Sequence, residues 1–363
     1  MPEPSGDQIA RLRLIRSENI GPITYFQLLA RFGSAQAALE AIPDLAARGG
    51  GRPPRLASRA AVEREIEAVA RIGARYLFLG QGLYPPLLAE LETAPPALIV
   101  KGHATLLDRP ATAVVGARNA SAAACRFARG LAQALGEAGT VIVSGLARGI
   151  DSAAHDGALE TGTIAVVAGG VDIYYPPENE GRQRAIAECG LVVSEQPPGV
   201  EPRSRHFPSR NRIIAGLAYG TVVVEAAPRS GSLITARCAA ECGREVMAVP
   251  GSPLDPRAQG CNQLIREGAT LVQSADDVLE AINPARIRPF RQPERDYGLP
   301  QVPVEADDEA RTLILDLLSG TAVPVDELVR QSGLPPAVVQ TVLLELELAG
   351  RLERHAGGKA SLM

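Results

Sequence analysis

Val141-Ile-Val-Ser-Gly-Leu-Ala-Arg-Gly-Ile-Asp-Ser-Ala-Ala-His155 is a β-branched run, a glycine-punctuated turn and the beginning of a helix, in that order. The same order recurs on both sides of it. Apolar runs at 113–115, 164–167, 191–193, 222–224 and 246–249 alternate with helical stretches, and Gly116, Gly169-Gly170 and Ser194 close their runs as Ser144-Gly145 closes this one. Strands that lack polar alternation and are separated by helices are covered on both faces, so the pattern predicts a doubly wound, mostly parallel α/β sheet. Ligands of such sheets sit at the carboxyl ends of the strands, where these small residues collect.

Upstream, Ile9, Leu12 and Ile15, then Phe26, Leu28, Leu29 and Phe32, are spaced three and four apart and predict helices from Gln8 to about Ala47. Between them, Asn19-Ile-Gly-Pro-Ile23 is either a helix-hairpin-helix turn whose amides hold a phosphate or a plain connection. Residues 47–55, rich in Gly and Pro, read as a loop. Downstream, Pro284, Pro289, Pro293, Pro300 and Pro303, without an apolar period, mark a linker. After it, 308–318, 325–331 and 335–349 read as three helices and 352–362, broken by Gly357-Gly358, as a β-hairpin, the order of a winged helix. The expected division is a helical domain at 1–72, the sheet at 73–282, the linker at 283–306 and a winged helix at 307–363.

At 363 residues, with 46% hydrophobic and 21% charged residues, the chain is long enough for two or three folded domains. The first residues carry no basic stretch followed by an apolar one, and no apolar run approaches the ~20 residues that cross a bilayer, so a cytoplasmic protein is expected. The five cysteines are scattered; Cys238 and Cys242, four apart on a predicted helix, have no partner ligands nearby, so small buried thiols and no metal are expected. The net charge of −4 means that any hold on nucleic acid must come from a local basic patch.

Three turns are shaped for anions. Gly116-Ala-Arg118-Asn119 follows the first parallel strand, Ser144-Gly145 through Arg148 the second, and Arg229-Ser230-Gly231-Ser232 precedes another helix. The first lacks Gly-x-Gly-x-x-Gly and the second strand ends in Ser144 rather than an acid, which excludes a nicotinamide or flavin cofactor; a Walker sequence is absent too, and no cofactor is expected. Asp151 and His155, four apart on one helical face, read as a structural contact because no nucleophile stands beside them. The densest positive stretch is Glu201-Pro-Arg-Ser-Arg-His-Phe-Pro-Ser-Arg-Asn-Arg212, where Arg203, Arg205, Arg210 and Arg212 surround Phe207 against one carboxylate. An aromatic among arginines suits single-stranded nucleic acid, charge for phosphates and a ring for stacking.

Together with Tyr84-Pro-Pro-Leu-Leu88, Tyr174-Tyr-Pro176, Pro250-Gly251 and Gly260-Cys-Asn-Gln-Leu-Ile-Arg-Glu-Gly-Ala269, these segments form an ordered series that resembles the DNA-processing protein A (DprA/Smf) family. The resemblance implies a Rossmann-like core that binds single-stranded DNA, forms a homodimer and helps to load RecA recombinase during natural transformation, with single-strand-binding protein as a further partner. It implies a SAM-like fold for the N-terminal helices and no catalytic residues. Carried over by position, Gly116, Arg118, Ser144, Gly145, Phe207, Arg210, Asn211, Arg212, Ser230, Gly231 and Ser232 are the DNA-facing set. Arg148, Arg203, Arg205 and Arg229 join it from the turns and the basic stretch.

The rival reading is an enzyme resembling nucleoside-monophosphate phosphoribohydrolases, which place a carboxylate beside the phosphate turn. Here Ala236, Arg237, Cys238, Ala239 and Ala240 follow Thr235, and Glu225 is the acid left for that role. The C-terminal segment, with nine acids against five bases over 307–363 and Glu345 and Glu347 on its third helix, is expected to dock protein rather than duplex DNA.

Overall fold

A computed structural model describes residues 5–282, 305–355 and 357–363. Compactness divides the chain into two units, residues 65–292 and a terminal unit made of 1–64 with 293–363. The linker expected over 283–306 lies outside the described residues apart from Glu305 and Ala306.

The chain begins with α1 (Gly6–Ile15), α2 (Pro22–Phe32), α3 (Ala35–Arg48) and α4 (Arg59–Arg71). Ser5 caps α1 in a capping box with Gln8, and Ser34 caps α3 by accepting from the Ala37 amide.

The larger unit holds β1 (Arg75–Phe78), α5 (Pro86–Ala89), β2 (Ala97–Gly102), β3 (Ala111–Gly116), α6 (Ala122–Glu137), β4 (Val141–Ser144), α7 (Ile150–Ala158) and β5 (Thr163–Val166). It continues with α8 (Glu180–Cys189), β6 (Leu191–Ser194), α9 (His206–Gly216), β7 (Gly220–Val224), α10 (Gly231–Glu241), β8 (Glu245–Ala248), α11 (Gln259–Arg266), β9 (Thr270–Leu271) and α12 (Ala275–Ala281). The strands form one nine-stranded sheet in the order β1-β2-β6-β5-β4-β3-β7-β8-β9. From β6 to β9 every pairing is parallel, while β1 and β2 join antiparallel at one edge.

All six sequence-predicted runs are strands of this Rossmann-like sheet, and β1, β2 and β9 are additions. The inner strands are buried along their whole length, as parallel strands covered by helices on both faces must be. The chain runs outward from β3 through β4, β5 and β6, then returns to place β7 on the other side of β3, so the switch point lies between β3 and β7.

The tail comprises α13 (Asp308–Leu317), β10 (Val323–Pro324), α14 (Val325–Ser332), α15 (Pro336–Leu348), β11 (Leu352–His355) and β12 (Lys359–Leu362), with its small sheet in the order β10-β12-β11. This is the winged helix that the sequence predicts, and it does not stand alone. Leu344 and Leu348 of α15 belong to the same buried core as Leu14, Tyr25, Leu28, Ile42 and Leu45 of the N-terminal helices. The five cysteines are free; Cys261 is buried, Cys125, Cys238 and Cys242 are half-buried, and Cys189 is exposed, against the expectation of burial for all five.

Ile142 is fully buried on β4, among Val114, Leu131, Leu135 and Val222. Ile142→Ala is expected to lower stability by roughly 2–5 kcal/mol, read as a shift of the urea midpoint without a change of slope.

Candidate nucleic-acid interface

The three anion-shaped turns end differently. After β3, Ser121 caps α6 and is itself engaged: its amide and hydroxyl donate to the Glu225 carboxylate at 2.8 and 2.6 Å. Glu225 stands at the end of β7 with φ of 52°, so the strained backbone across the switch point serves to aim this carboxylate. The positive end of α6 is thereby neutralised from within the protein. Engaged in this way, Glu225 is drawn off from the role that a phosphoribohydrolase would give it.

After β4, the Gly145 and Ala147 amides donate to the Asp151 carboxylate at 3.1 and 3.4 Å. Asp151 is buried, and desolvation raises its pKa while the nearby Arg210 guanidinium and three backbone amides oppose the rise. The second turn is therefore also occupied by a carboxyl group of the chain itself. The third turn, before α10, presents an exposed Gly231 and Arg229, with Ser230 as the cap and its hydroxyl 2.8 Å from that of Ser232.

Gly116 is required for packing. A Cβ there would lie 1.9 Å from the Val224 carbonyl oxygen and 2.6 Å from Ile150 Cγ1. At Gly145 a Cβ would meet the Arg210 guanidinium at 2.3 Å. Ser144 is buried and donates to the Val114 carbonyl at 2.6 Å.

The arginine stretch splits into two populations. Arg203 and Arg205 precede α9 and are exposed, as are Arg118 and Arg148 on the first two turns. Arg148 is loosely paired with Glu178 at 3.5 Å. Arg210, in contrast, is buried, donates to the Gly145 and Val166 carbonyls, and has its pKa lowered to about 10 by burial, against the pull of Asp151. Arg212 donates to the Thr93 carbonyl and forms a bidentate pair with Glu195, both contacts to the carboxylate being 2.7 Å. Asn211 is buried too, its amide nitrogen 3.4 Å from the Gly231 carbonyl. The carried-over DNA-facing set thus divides, and Ser144, Arg210, Asn211 and Arg212 have their polar groups turned toward protein. The physical reason lies in the register of α9, which puts Arg210 on the same face as the buried Ile213 and Ile214.

At the carboxyl ends of β3, β4 and β5 lies an open, shallow cleft, lined by Arg118, Gly145, Arg148, Val167, Gly169, Tyr175, Pro202, Phe207 and Arg210. Across it, the Arg118 guanidinium lies over the Phe207 ring at 5.4 Å, and Tyr175, about half exposed, tilts against the same ring with centroids 5.7 Å apart. Tyr175 was absent from the predicted set. Its signal was the Tyr174-Tyr175 pair in a chain only 4% aromatic. The cleft brings together two aromatic rings inclined 55° to each other and several guanidinium groups, the residue types that stack bases and hold phosphates in single-strand binding.

Residues 75–283 match the family model described as DNA recombination-mediator protein A. The chain belongs to the DNA-processing protein A family. Residues 5–68 match the DprA-like N-terminal HHH domain and 299–358 the DprA winged helix domain. The DNA processing protein DprA of Streptococcus pneumoniae is 51% identical over 198 residues, 54% of this chain and 70% of the relative. Protein Smf of Escherichia coli is 40% identical over 284 residues, 77% of this chain and 75% of the relative. The X-ray structure of DprA from Streptococcus pneumoniae superposes with a TM-score of 0.62 at 38% identity, covering 76% of this chain and 98% of that one. DNA processing protein A from Helicobacter pylori, whose structure describes a unique single-stranded DNA binding mode, superposes with a TM-score of 0.52 at 29% identity over 57% of this chain and 94% of that one. Membership confirms the Rossmann-like core and the winged helix, and identifies the N-terminal helices as a helix-hairpin-helix (HHH) domain, turning on Asn19 with φ of 60° and Gly21.

Two predictions concern this scaffold. His155 is fully buried with Nδ1 2.7 Å from Thr163 Oγ1, and burial, aided by Arg182, drives its pKa down to about 3. An unfolded histidine binds its proton below about pH 6.5. The neutral ring's contribution is therefore complete above that pH and is lost as pH falls toward 3. His155→Gln is expected to flatten the acid limb of stability by about 1.4 kcal/mol per pH unit, measured as urea midpoints between about pH 6 and 4. Arg212→Ala removes the two 2.7 Å contacts to the Glu195 carboxylate, in a site where both side chains are 15% exposed. A loss of about 1–3 kcal/mol is expected, visible in urea unfolding without DNA present.

Proposed function

We propose that this protein binds single-stranded DNA across the strand ends of its core and passes it to RecA recombinase. The observation that carries the reading is the row Arg118, Phe207 and Tyr175 along the mouth of the cleft. Exposed Arg148, Arg203, Arg205 and Arg229 supply phosphate contacts around it, and the turn Ser230 to Ser232 receives a further phosphate. Gly116, Ser144, Gly145, Arg210, Asn211 and Arg212 shape the floor on which these residues stand. The reading is supported by the 29% identical Helicobacter pylori relative, whose structure is described as binding single-stranded DNA.

Stacking on aromatic side chains is tolerant of sequence because every base has a π-face, whereas duplex DNA keeps its bases inside. A platform of this kind selects strandedness rather than sequence. The protein acts as a carrier and not as an enzyme: the strand-end acids Glu225 and Glu195 are held by Ser121 and by Arg212, and Asp151 by backbone amides. Homodimer formation is supported by the open edge at β9, where Thr270 and Leu271 are both exposed, Leu271 by 44%. Single-strand-binding protein is the second partner of this route, in a cytoplasmic setting.

The test is a salt-titrated binding isotherm with labelled single-stranded and duplex DNA. Phe207→Ala is expected to weaken single-strand binding by about 1–3 kcal/mol at every salt concentration. Arg118→Ala is expected to reduce the salt slope by about 0.7, one single-strand phosphate contact. Equal affinity of the folded protein for single strand and duplex sinks the proposal.

A further inference from the structure

Two devices in the terminal unit are of kinds that commonly meet duplex DNA: the hairpin turn between α1 and α2, and α15 as the third helix of the winged helix. Within that unit α15 packs against α3, the helix that follows the hairpin pair.

Of the thirteen residues of α15, eight are buried: Val339, Thr341, Val342, Leu343, Leu344, Glu345, Leu346 and Leu348. Val339, Val342, Leu343 and Leu346 fill the core of the winged helix itself. Leu344 and Leu348, one turn apart, fill the core of the N-terminal helices. Only Pro336 and Ala337 of this helix are exposed, and neither carries a hydrogen-bonding side chain. A helix that reads a groove needs a polar face turned outward, and this one has both faces covered.

The approach is close enough to demand glycine on the other side. A Cβ on Gly49, just after α3, would lie 2.2 Å from the Glu345 carbonyl oxygen, and one on Gly51 2.3 Å from that of Ala349. Polar contacts rim the seam: Gln27 donates to Gln340 at 3.0 Å, Arg354 to Gln27 at 3.3 Å and Arg351 to the Gly49 carbonyl at 3.1 Å. The acids of α15 are answered by the same chain, Glu345 by Arg311 at 2.8 Å and Glu347 by Arg354 at 2.7 Å. The hairpin turn itself keeps Glu18 and Asn19 exposed and turns only Ile20 inward. Ile20 lies in the shared core, Gly350 packs with its Cβ position 3.2 Å from Asn19 Nδ2, and the Glu18 amide donates to the Arg55 carbonyl at 3.1 Å.

We propose that α15, the third helix of the winged helix, is an internal packing partner of α3 and not a reader of duplex DNA. The partner of α15 is the α3 face of its own chain, and α15 leaves only Pro336 and Ala337 exposed.

The experiment uses the full chain with Leu348→Asp, which places a charge in the shared core, and with Gly49→Ala/Gly51→Ala, which wedges the seam while leaving the tail sequence intact. Hydrogen exchange of the α3 amides from Leu39 to Ala46 is expected to rise at least tenfold in both. Duplex affinity is expected to stay within twofold of the unaltered protein, and single-strand affinity likewise, since that depends on the core. Unchanged exchange in both variants overturns the proposal, because the seam then does not hold α3. A tenfold gain in duplex affinity on opening overturns it in another way, by revealing a hidden reader. So does a tenfold loss of duplex affinity in Ala337→Glu with α3 still protected, since the docked α15 would then be touching duplex.

Discussion

Helix N-termini attract anions, and in a doubly wound sheet they converge at the switch point, where a phosphorylated cofactor would ordinarily sit. In this protein that attraction is satisfied by the chain itself. Glu225 crosses from β7 to Ser121 at the head of α6, and Asp151 folds back onto the Gly145 and Ala147 amides at the head of α7. Once both are neutralised, the switch point between β3 and β7 has little left to offer a ligand, and the open cleft lies to one side, over β3, β4 and β5. The architecture keeps the geometry of a nucleotide-binding sheet while moving the recognition to side chains.

That displacement explains the burial of Arg210. With Asp151 withdrawn from water, a counter-cation is needed close by, and Arg210 supplies it while tying the Gly145 and Val166 carbonyls together under the cleft. Gly145 is the reason it can reach: any side chain there would collide with the guanidinium. The exposed cations of the cleft are thus mounted on a layer of internally balanced charge. Above that layer Arg118 lies over Phe207 and Arg148 has a loose pair with Glu178 at 3.5 Å, while Arg203 and Arg205 are exposed. Arginine suits both layers, because its planar fork can bridge two carbonyls as well as stack over a ring.

Much of this was legible in the residues. Six of the nine strands announce themselves as short apolar runs closed by Gly or Ser, and the tail's three helices and hairpin fall close to where periodicity puts them. The antiparallel pair β1 and β2 was not read, since Arg75 to Phe78 is too short to show a period and the apolar part of β2, Ala97 to Val100, is only four residues and fits a helix as well as a strand. The direction of Arg210 and Arg212 was hidden by a different ambiguity. Arg203 to Arg212 looks like one basic stretch until the start of α9 is fixed at His206, after which Arg210, Ile213, Ile214 and Leu217 share a buried face. Tyr175 escaped because it is brought to Phe207 by the fold from a different loop, a relation that no local spacing encodes.

The covering of α15 follows from the same kind of constraint as the capping of α6 and α7. Its sequence, Pro-Ala-Val-Val-Gln-Thr-Val-Leu-Leu-Glu-Leu-Glu-Leu348, is apolar on more than the one stripe that a winged helix must bury, and a helix apolar on two sides needs a second partner to avoid exposing a hydrophobic face. The N-terminal helices, too few to enclose Leu28, Ile42 and Leu45 alone, provide that partner and are completed by it. Its two glutamates follow from this arrangement: in a groove-reading helix they would repel phosphate, whereas at an internal seam each meets an arginine of the same unit. Among the described residues, the two acids of α15 are therefore balanced within the terminal unit, while Arg118, Arg203 and Arg205 stand exposed near the core cleft.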